Sequence, residues 1–192
     1  MRKNIPEISN QIYKDSVLNI IDNQYSVIGP MWASHQIEWT NGVYKSFKNH
    51  DKFLIIIYLI KKTLDFYSRS FTKFSFDEFY LKDTVEIEKF NIKELSINLK
   101  IPKESARRKV LELERDGILK KNKKKIILDR SAYAHAKPTN SIQRISRFLA
   151  TLSKVLSEEK ILQKKMGSED LEKILKKNFS YIWKLYYEFQ IP

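Results

Sequence analysis

The feature that most constrains this chain is the order of elements predicted between residues 91 and 128. Asn91 is a suitable N-cap for a helix over Ile92 to Lys100, because its side chain can accept a hydrogen bond from a free amide of the first turn. Ile101-Pro102 breaks that helix, since proline disfavours helical geometry in the residue before it and is tolerated at the start of the next helix. Two short helices joined by a tight turn are therefore predicted.

The second of these helices begins at Lys103. Ala106, Val110 and Leu113 stand at i, i+4 and i+7, which is the spacing of a helix face that packs against other elements. Gly117 follows and suits a C-terminal cap in the left-handed conformation. The remaining residues of the helix, among them Arg107, Arg108 and Leu111, form its outward face.

A short hairpin is predicted after this glycine. Its strands are expected at Ile118–Lys121 and Lys124–Leu128, joined by Asn122-Lys123. Lysines at its tip can hold phosphate groups, although a run of charges is more often a solvated loop. Five of the six residues from 120 to 125 are lysines, namely Lys120, Lys121, Lys123, Lys124 and Lys125.

Positive charge is concentrated in this part of the chain. The whole sequence has a net charge of +13, which favours a polyanionic partner such as nucleic acid or an anionic membrane surface. A general richness in lysine could raise the charge without any such partner. However, residues 91 to 130 contain 13 Lys or Arg and 6 Asp or Glu, a net of +7. Four of the eight arginines, whose shape matches phosphate and guanine, also lie there: Arg107, Arg108, Arg115 and Arg130.

This segment resembles the winged helix-turn-helix of bacterial transcription regulators, over about 40 of the 192 residues. Ile101-Pro102-Lys103-Glu104-Ser105-Ala106-Arg107-Arg108 is similar to the turn and recognition-helix start of the Crp/Fnr and GntR families, commonly Val-Ser-Arg-Glu-Thr-Val-x-Arg. Leu113-Glu114-Arg115-Asp116-Gly117-Ile118-Leu119 resembles the Leu-Glu-x-x-Gly-Leu-Ile ending of many winged-helix families.

The resemblance implies a role for each matching residue. It implies base-edge contacts from Lys103, Glu104 and Arg108, with Ser105 and Arg107 nearer the phosphates. The lysines from 120 to 125 would form a wing that holds phosphates. Pro102 stands where these families have a serine cap. Lys103 stands where they have arginine, so guanine readout there would be weaker and specificity would rest more on the arginines at 107 and 108.

The region before this segment is predicted to be helical. Apolar residues from Ile8 to Ile21 suggest an amphipathic helix that ends before Gly29-Pro30, and Asn41-Gly42 suggests a turn. A strongly apolar helix is expected from Asp51 to Tyr67, and a short strand near Ile87 to Phe90.

Two helices are predicted after the hairpin. The first contains Ile142, Ile145, Leu149, Leu152 and Leu156 at alternating spacings of three and four, and it ends at Met166-Gly167-Ser168. This apolar seam would join two copies of the chain or pack against the chain's own core. The second helix runs from Glu169 to about Gln190. Its aromatic face is made by Phe179, Ile182, Trp183, Tyr186 and Phe189.

Helical flanks on both sides of the segment look more like the MarR family, although the wing is short and lacks the Asp-x-Arg pair usual there. The predicted fold is thus mainly α: a winged helix-turn-helix with a small hairpin wing and flanking N- and C-terminal helices. Its parts are an N-terminal helical extension (residues 1–50), a DNA-binding domain (51–130) and a C-terminal helical pair (138–192) that we expect to dimerise.

Other classes of protein find less support in the sequence. No cysteine is present, the three histidines are far apart, and four glycines provide no phosphate-cradling loop, so we expect no enzyme and no cofactor. The longest apolar run has eight residues, Phe53 to Ile60, whereas a membrane span needs about 20, so no membrane helix is expected. The absence of cysteine favours a cytoplasmic protein, and the predicted DNA binding implies association with the nucleoid.

Two functions remain open from the sequence. The first is a homodimeric, sequence-specific regulator of transcription that binds double-stranded DNA. The alternative is a winged-helix interaction or scaffold protein without specific DNA binding. Met31, Trp32, His35 and Trp39 would either line a pocket for a small-molecule effector or belong to the core.

Overall fold

The structure, a computed structural model, describes residues 12–122 and 125–191. The chain is mainly helical, and the described residues include one small antiparallel sheet. The elements are the α-helices α1 (Lys14–Asn23), α2 (Tyr25–Phe47), α3 (His50–Arg69), α4 (Phe76–Phe79), α5 (Ile92–Leu99), α6 (Lys103–Arg115), α7 (Thr139–Glu158), α8 (Ser168–Lys177) and α9 (Phe179–Glu188), the strands β1 (Thr84–Ile87), β2 (Leu119–Asn122) and β3 (Lys125–Asp129), and a 3-10 turn at Arg130–Ala132.

The chain forms two compact units. The first contains the described residues up to Ile37 together with Asn140–Glu172. Its apolar core brings α1, α2 and α7 together through four buried residues, Ile20, Ile28, Val155 and Leu156. Partly buried side chains that pack against this core are Val17, Ile21, Phe148, Leu152, Ile161 and Leu162.

The apolar seam that the sequence predicts on α7 can be compared with this core. Ile142, Ile145 and Leu156 are buried within the single chain, and Leu152 packs against the core of the first unit. The sequence left open whether this seam joins two copies or packs inside one chain. Because these side chains are already covered, packing within one chain is the better account of the seam.

The predicted helix end before Gly29-Pro30 is wrong, since α2 continues through both residues. The break between α1 and α2 falls at Gln24 instead. The Tyr25 ring lies close to the backbone of Gly29, because a Cβ atom at Gly29 would come within 2.8 Å of this ring. Pro30 lies near the start of α2, so its missing amide deprives only one carbonyl, that of Ser26, of a helical partner.

The second unit contains Glu38–Thr139 and the residues from Lys173 onward. The turn predicted at Asn41-Gly42 is absent there, because both residues lie inside α2. Gly42 faces open space, so the helix needs no change of direction at this residue. The actual end follows Phe47, where Lys48 takes a left-handed φ of 50° and donates to the Tyr44 carbonyl. Asn49 then caps α3 by accepting from the Lys52 amide at 3.0 Å.

Helix α3 is the central element of the second unit, as its strongly apolar sequence predicts. It contacts α5, α6, α9 and β1. Ile55 and Leu59 are completely buried, and so are Leu95 on α5 and Leu113 on α6. Burial of one such side chain contributes about 1.5 to 3 kcal/mol, so this shared core fixes the positions of α5 and α6.

The sheet has the strand order β1-β3-β2, with both pairs antiparallel. Val85 lies opposite Leu128, and Leu119 also lies opposite Leu128. Alternate residues of β1 and β3 are buried, among them Ile126 and Leu128, so one face of the sheet packs on the core. The strand predicted near Ile87 to Phe90 is displaced toward the N-terminus. The first hairpin strand begins one residue later than predicted, and the second extends one residue further, to Asp129.

The C-terminal region contains more helices than predicted. Helix α7 ends at Glu158 rather than near Met166, because Lys160 takes a left-handed φ of 60°. The helix predicted from Glu169 to Gln190 is interrupted at Asn178. The Ser180 amide donates to the Phe74 carbonyl at 3.0 Å, which replaces the bond that a continuous helix would make.

The predicted aromatic face of this region is correct in part. Phe179 and Trp183 are buried and their rings stack with centroids 5.1 Å apart. Phe189 is 85% exposed and is not part of the packed face. Tyr187, which the pattern omitted, is buried instead.

Among the described helices, none has the length and apolar character needed to span a lipid bilayer.

Candidate nucleic-acid interface

Helix α5 begins where the sequence predicts. The Asn91 side chain accepts a hydrogen bond from the Lys93 amide at 2.8 Å. Glu94 in the first turn accepts hydrogen bonds from two α3 side chains, Lys62 at 2.8 Å and Tyr58 at 2.9 Å. The bond from Lys62 is the main reason that the pKa of Glu94 is lowered. Because this carboxylate stays ionised at neutral pH, α5 is held to α3 by a charged contact beside their apolar one.

The turn between α5 and α6 has a defined geometry. Lys100 takes a left-handed φ of 52°, and its amide donates to the Ile97 carbonyl. The Ser96 hydroxyl donates to the Ile101 carbonyl at 2.7 Å, and the Ile101 amide donates to the Ser96 carbonyl at 3.2 Å. These bonds fix where the chain turns before Pro102, which precedes α6 as its N-cap. The predicted break at Ile101-Pro102 is confirmed.

Helix α6 packs by the face that its spacing predicts. Ala106, Val110 and Leu113 are all buried. A set of ion pairs reinforces this contact: Lys52 of α3 lies 2.8 Å from Asp116 and 3.4 Å from Glu112. Helix α6 is therefore rigidly oriented on α3, and the opposite side of α6 must face outward.

The end of α6 is also confirmed. Gly117 takes a φ of 74°, which is open to glycine at little cost. Its amide donates to the Glu114 carbonyl, and the Ile118 amide donates to the Leu113 carbonyl at 3.0 Å. This pair of bonds is the Schellman arrangement that ends a helix and redirects the chain, here into β2.

The outward face of α6 is mostly basic. The Arg107 side chain binds Glu104 at 2.8 Å. The Arg108 side chain is 66% exposed and lies 4.0 Å from Glu112, a carboxylate that Lys109 and Lys52 also bind. Ser105 is half-buried. Within α6, all of which the structure describes, the exposed residues are Lys103, Glu104, Arg107, Arg108, Leu111 and Arg115.

The first strand of the hairpin adds two exposed lysines in the same unit. Lys120 and Lys121 of β2 are exposed. The Lys121 amide donates to a Glu114 side-chain oxygen at 3.2 Å, which ties β2 to the end of α6. The predicted site residues Lys123 and Lys124 lie outside the described residues. The structure thus places Lys103, Glu104, Ser105, Arg107 and Arg108 on one helix, and two lysines on the strand that directly follows it.

Lys125 differs from the other predicted wing lysines. Its ammonium group binds the carboxylates of Glu86 and Glu88, the latter at 2.6 Å. Hydrogen bonding by Glu86 is the largest cause that raises the pKa of Lys125, and the bond from Lys125 lowers the pKa of Glu86. Two carboxylates thus face one ammonium group, so the formal negative charge around Lys125 exceeds the positive charge that it carries.

The sequence contained a signal for this pairing that depends on strand register. Ile87 lies opposite Ile126, so an antiparallel pair continued by one residue brings Glu88 opposite Lys125. The pairing of Glu88 with Lys125 could be predicted only from a strand at Thr84–Ile87. The sequence analysis placed this strand three residues later, so the pairing was missed.

Arg130 is not available to a partner, although the sequence counted it among the arginines suited to phosphate or guanine. Only 4% of the residue is exposed. Its guanidinium donates to the carbonyls of Phe79 and Lys82, the former at 2.8 Å. It also lies over the Phe79 and Tyr80 rings, at 4.8 and 4.4 Å from their centroids. Arg130 stabilises the segment between α4 and β1.

Three members of the aromatic group considered as an effector pocket, Trp32, His35 and Trp39, have ring contacts with other side chains. In the first unit, Trp32 lies against His35, and burial together with the charge of Arg144 lowers the pKa of His35 to about 4. In the second unit, Trp39 packs edge-on against Phe53 and Tyr186. Core packing therefore accounts for His35, which is buried, whereas Trp32 is 42% exposed.

No group of three or more His, Asp or Glu side chains suited to a metal ion occurs in the part of the chain that the structure describes. No protein-family model matches the chain, and neither a curated protein nor a solved structure matches it.

Proposed function

We propose that the chain is a winged helix-turn-helix protein that binds double-stranded DNA in a sequence-specific way and regulates transcription. In this proposal α5 and α6 form the helix-turn-helix, α6 is the recognition helix in the major groove, and β2 and β3 form the wing. Double-stranded DNA is the partner, and the chain acts as a homodimer in the cytoplasm, associated with the nucleoid.

The observation that carries the proposal is the orientation of α6. Its apolar face is fixed on the core of the second unit, so its basic face is presented outward as a rigid surface. Lys103, Arg107 and Arg108 on that face supply the charge that the phosphate backbone attracts, and Arg108 can also bind guanine with two hydrogen bonds. A rigid helix with base-reading side chains is what major-groove recognition requires.

The roles of individual residues follow from their positions. We assign base-edge contacts to Lys103, Glu104 and Arg108, with Ser105 and Arg107 nearer the phosphates. Lys120 and Lys121 hold phosphates beside the groove, as would Lys123 and Lys124. Lys125 receives a smaller role than the sequence implied, because Glu86 and Glu88 already bind its charge.

Dimerisation is part of the proposal, because one DNA-binding unit reads few base pairs whereas a two-fold dimer reads two half-sites. The seam of α7 is already covered within one chain, so the interface needs other apolar residues. Three exposed side chains near the C-terminus follow one another at intervals of four residues and are available for it: Tyr181 and Leu185 of α9, and Phe189 directly after α9. Sedimentation of the full chain tests this. If a Leu185→Lys variant sediments as the wild type does, α9 is not part of the interface.

The experiment that tests the function is selection of bound sequences from a pool of random DNA duplexes by the full chain. A sequence-specific binder enriches one motif over successive rounds, and a dimer enriches a motif with two-fold symmetry. A non-specific binder retains DNA without enriching any motif. Failure to retain duplexes at low salt would favour the alternative, a winged-helix protein that binds other proteins, since the electrostatic attraction is strongest under that condition.

A further inference from the structure

Leu111 lies at the centre of the outward face of α6. It is 42% exposed, and it is the one apolar residue among the exposed residues of this helix, all of which the structure describes. Arg107 and Arg115 stand four residues before and after it, and Arg108 stands three before it, so all three are its neighbours on the helix surface. The buried face of the helix, made by Ala106, Val110 and Leu113, is on the other side.

The surroundings of Leu111 restrict what could cover it. Because arginines lie on three sides of Leu111, a complementary partner offers an apolar group that is surrounded by negative charge. The major groove of duplex DNA has this character wherever a thymine occurs, because the thymine C5 methyl group projects into the groove between two lines of phosphates. Apolar side chains on recognition elements make such contacts, and they distinguish thymine from cytosine, which lacks the methyl group.

We infer that Leu111 is a specificity-determining residue that packs against a thymine methyl group, so that the DNA bound by this chain contains a thymine facing the middle of α6. The inference rests on the proposed function and deepens it. Arg108 and Glu104, one and two turns earlier on α6, read the base pairs on one side of this thymine. The arginine on the other side, Arg115, lies toward the backbone.

The test uses the full chain and the duplex selected in the previous experiment. Each thymine of that duplex is replaced in turn by deoxyuridine, which removes the methyl group and leaves the hydrogen-bonding groups of the base unchanged. At one thymine in each half-site, deoxyuridine should weaken binding of the wild type about fourfold, the effect of burying one methyl group. The other thymines should show smaller effects.

Two variants connect this effect to Leu111. Leu111→Ala should bind the thymine and deoxyuridine duplexes about equally, because no side chain then reaches the methyl group. Ile97→Ala is the matched control: Ile97 is an exposed aliphatic residue on α5, outside the outward face of α6, and this variant should keep the fourfold difference. Both substitutions introduce a strong helix former at an exposed position, so both variants should fold.

The outcomes separate this inference from the proposed function. If the wild type binds the selected duplex but no deoxyuridine position weakens it, or if Leu111→Ala keeps the fourfold difference, the inference is overturned and the proposed function stands. A chain that enriches no motif or binds no duplex overturns both. A loss of discrimination confined to Leu111→Ala supports both.

Discussion

The outward face of α6 and the β1–β3 pair lie in the same unit, and both contain basic residues of the charged segment from 91 to 130. On α6, Arg108 is 66% exposed and only loosely approached by a carboxylate. On β3, Lys125 is bound by two carboxylates of the neighbouring strand and connection, and Arg130, directly after β3, is buried against carbonyl groups and rings. Equal formal charges thus serve different purposes: Arg108 on α6 remains available to a partner, whereas Lys125 and Arg130 stabilise the fold.

The difference shows why a net charge is a poor guide to a binding surface. An arginine or lysine attracts phosphate only to the extent that neighbouring carboxylates leave its charge uncompensated. Because packing decides which side chains are neighbours, the availability of a charge is a property of the fold. Substitutions on the outward face of α6 should therefore weaken DNA binding, whereas substitutions around β3 should lower the stability of the fold.

The largest expected effect is on stability. Arg130→Met should lower the free energy of unfolding by about 3 kcal/mol, because buried carbonyls such as those of Phe79 and Lys82 lose their donor. Urea unfolding followed by circular dichroism measures this. Arg108→Met is the matched control and should change the free energy by less than about 0.5 kcal/mol, since its side chain is exposed. Equal losses in the two variants would remove the distinction between the regions.

The next effect is on sequence preference. Arg108→Ala should lower the preference for the selected duplex over a scrambled one by about 2 kcal/mol, as expected for the loss of a contact with a base edge. Competition binding with the two duplexes measures this preference. If Arg108→Ala weakens binding to both duplexes equally, Arg108 contacts a phosphate and the base contacts must come from other residues of α6.

A smaller effect is expected from the lysines of β2. Removing both positive charges in the Lys120→Ala, Lys121→Ala double variant should reduce the slope of log affinity against log salt by about 2, because each phosphate contact contributes about one. Lys125→Ala should leave the slope nearly unchanged, since Glu86 and Glu88 already compensate this charge. Fluorescence anisotropy at several salt concentrations gives both slopes. A slope that falls as much for Lys125→Ala would contradict the assignment.

The smallest expected effect is a gain. Glu86→Gln with Glu88→Gln removes the two carboxylates that bind Lys125, so its charge becomes available to DNA. The double variant should bind duplexes more tightly at low salt, and its salt slope should rise by about 1. Adding Lys125→Ala to this variant tests the cause, because the added slope should then disappear. Persistence of the gain without Lys125 would mean that the carboxylates merely repelled DNA.

Several features were predictable because they depend on local chemistry. The cap at Asn91, the turn at Ile101-Pro102, the buried face of α6 and the left-handed Gly117 each follow from a few neighbouring residues. The mainly helical character with a small sheet followed from the same patterns.

Features that depend on distant residues were not predictable in this way. The interruption at Asn178 results from the bonds of Ser180 with Phe74, more than a hundred residues away. The compensation of Lys125 and the burial of Arg130 likewise depend on β1 and the connection before it.

The central claim is that the outward cations of α6 contact duplex DNA, and its most direct test is the salt dependence of duplex binding by the wild type and by a Lys103→Ala, Arg107→Ala, Arg108→Ala variant. For the wild type, log affinity should fall linearly with log salt between about 50 and about 200 mM. The triple variant should bind more weakly, and its slope should be smaller by about 1, because Arg107 is the residue of these three that is assigned to a phosphate. Absence of a complex at the lowest salt, or an unchanged slope and affinity in the triple variant, would contradict the claim.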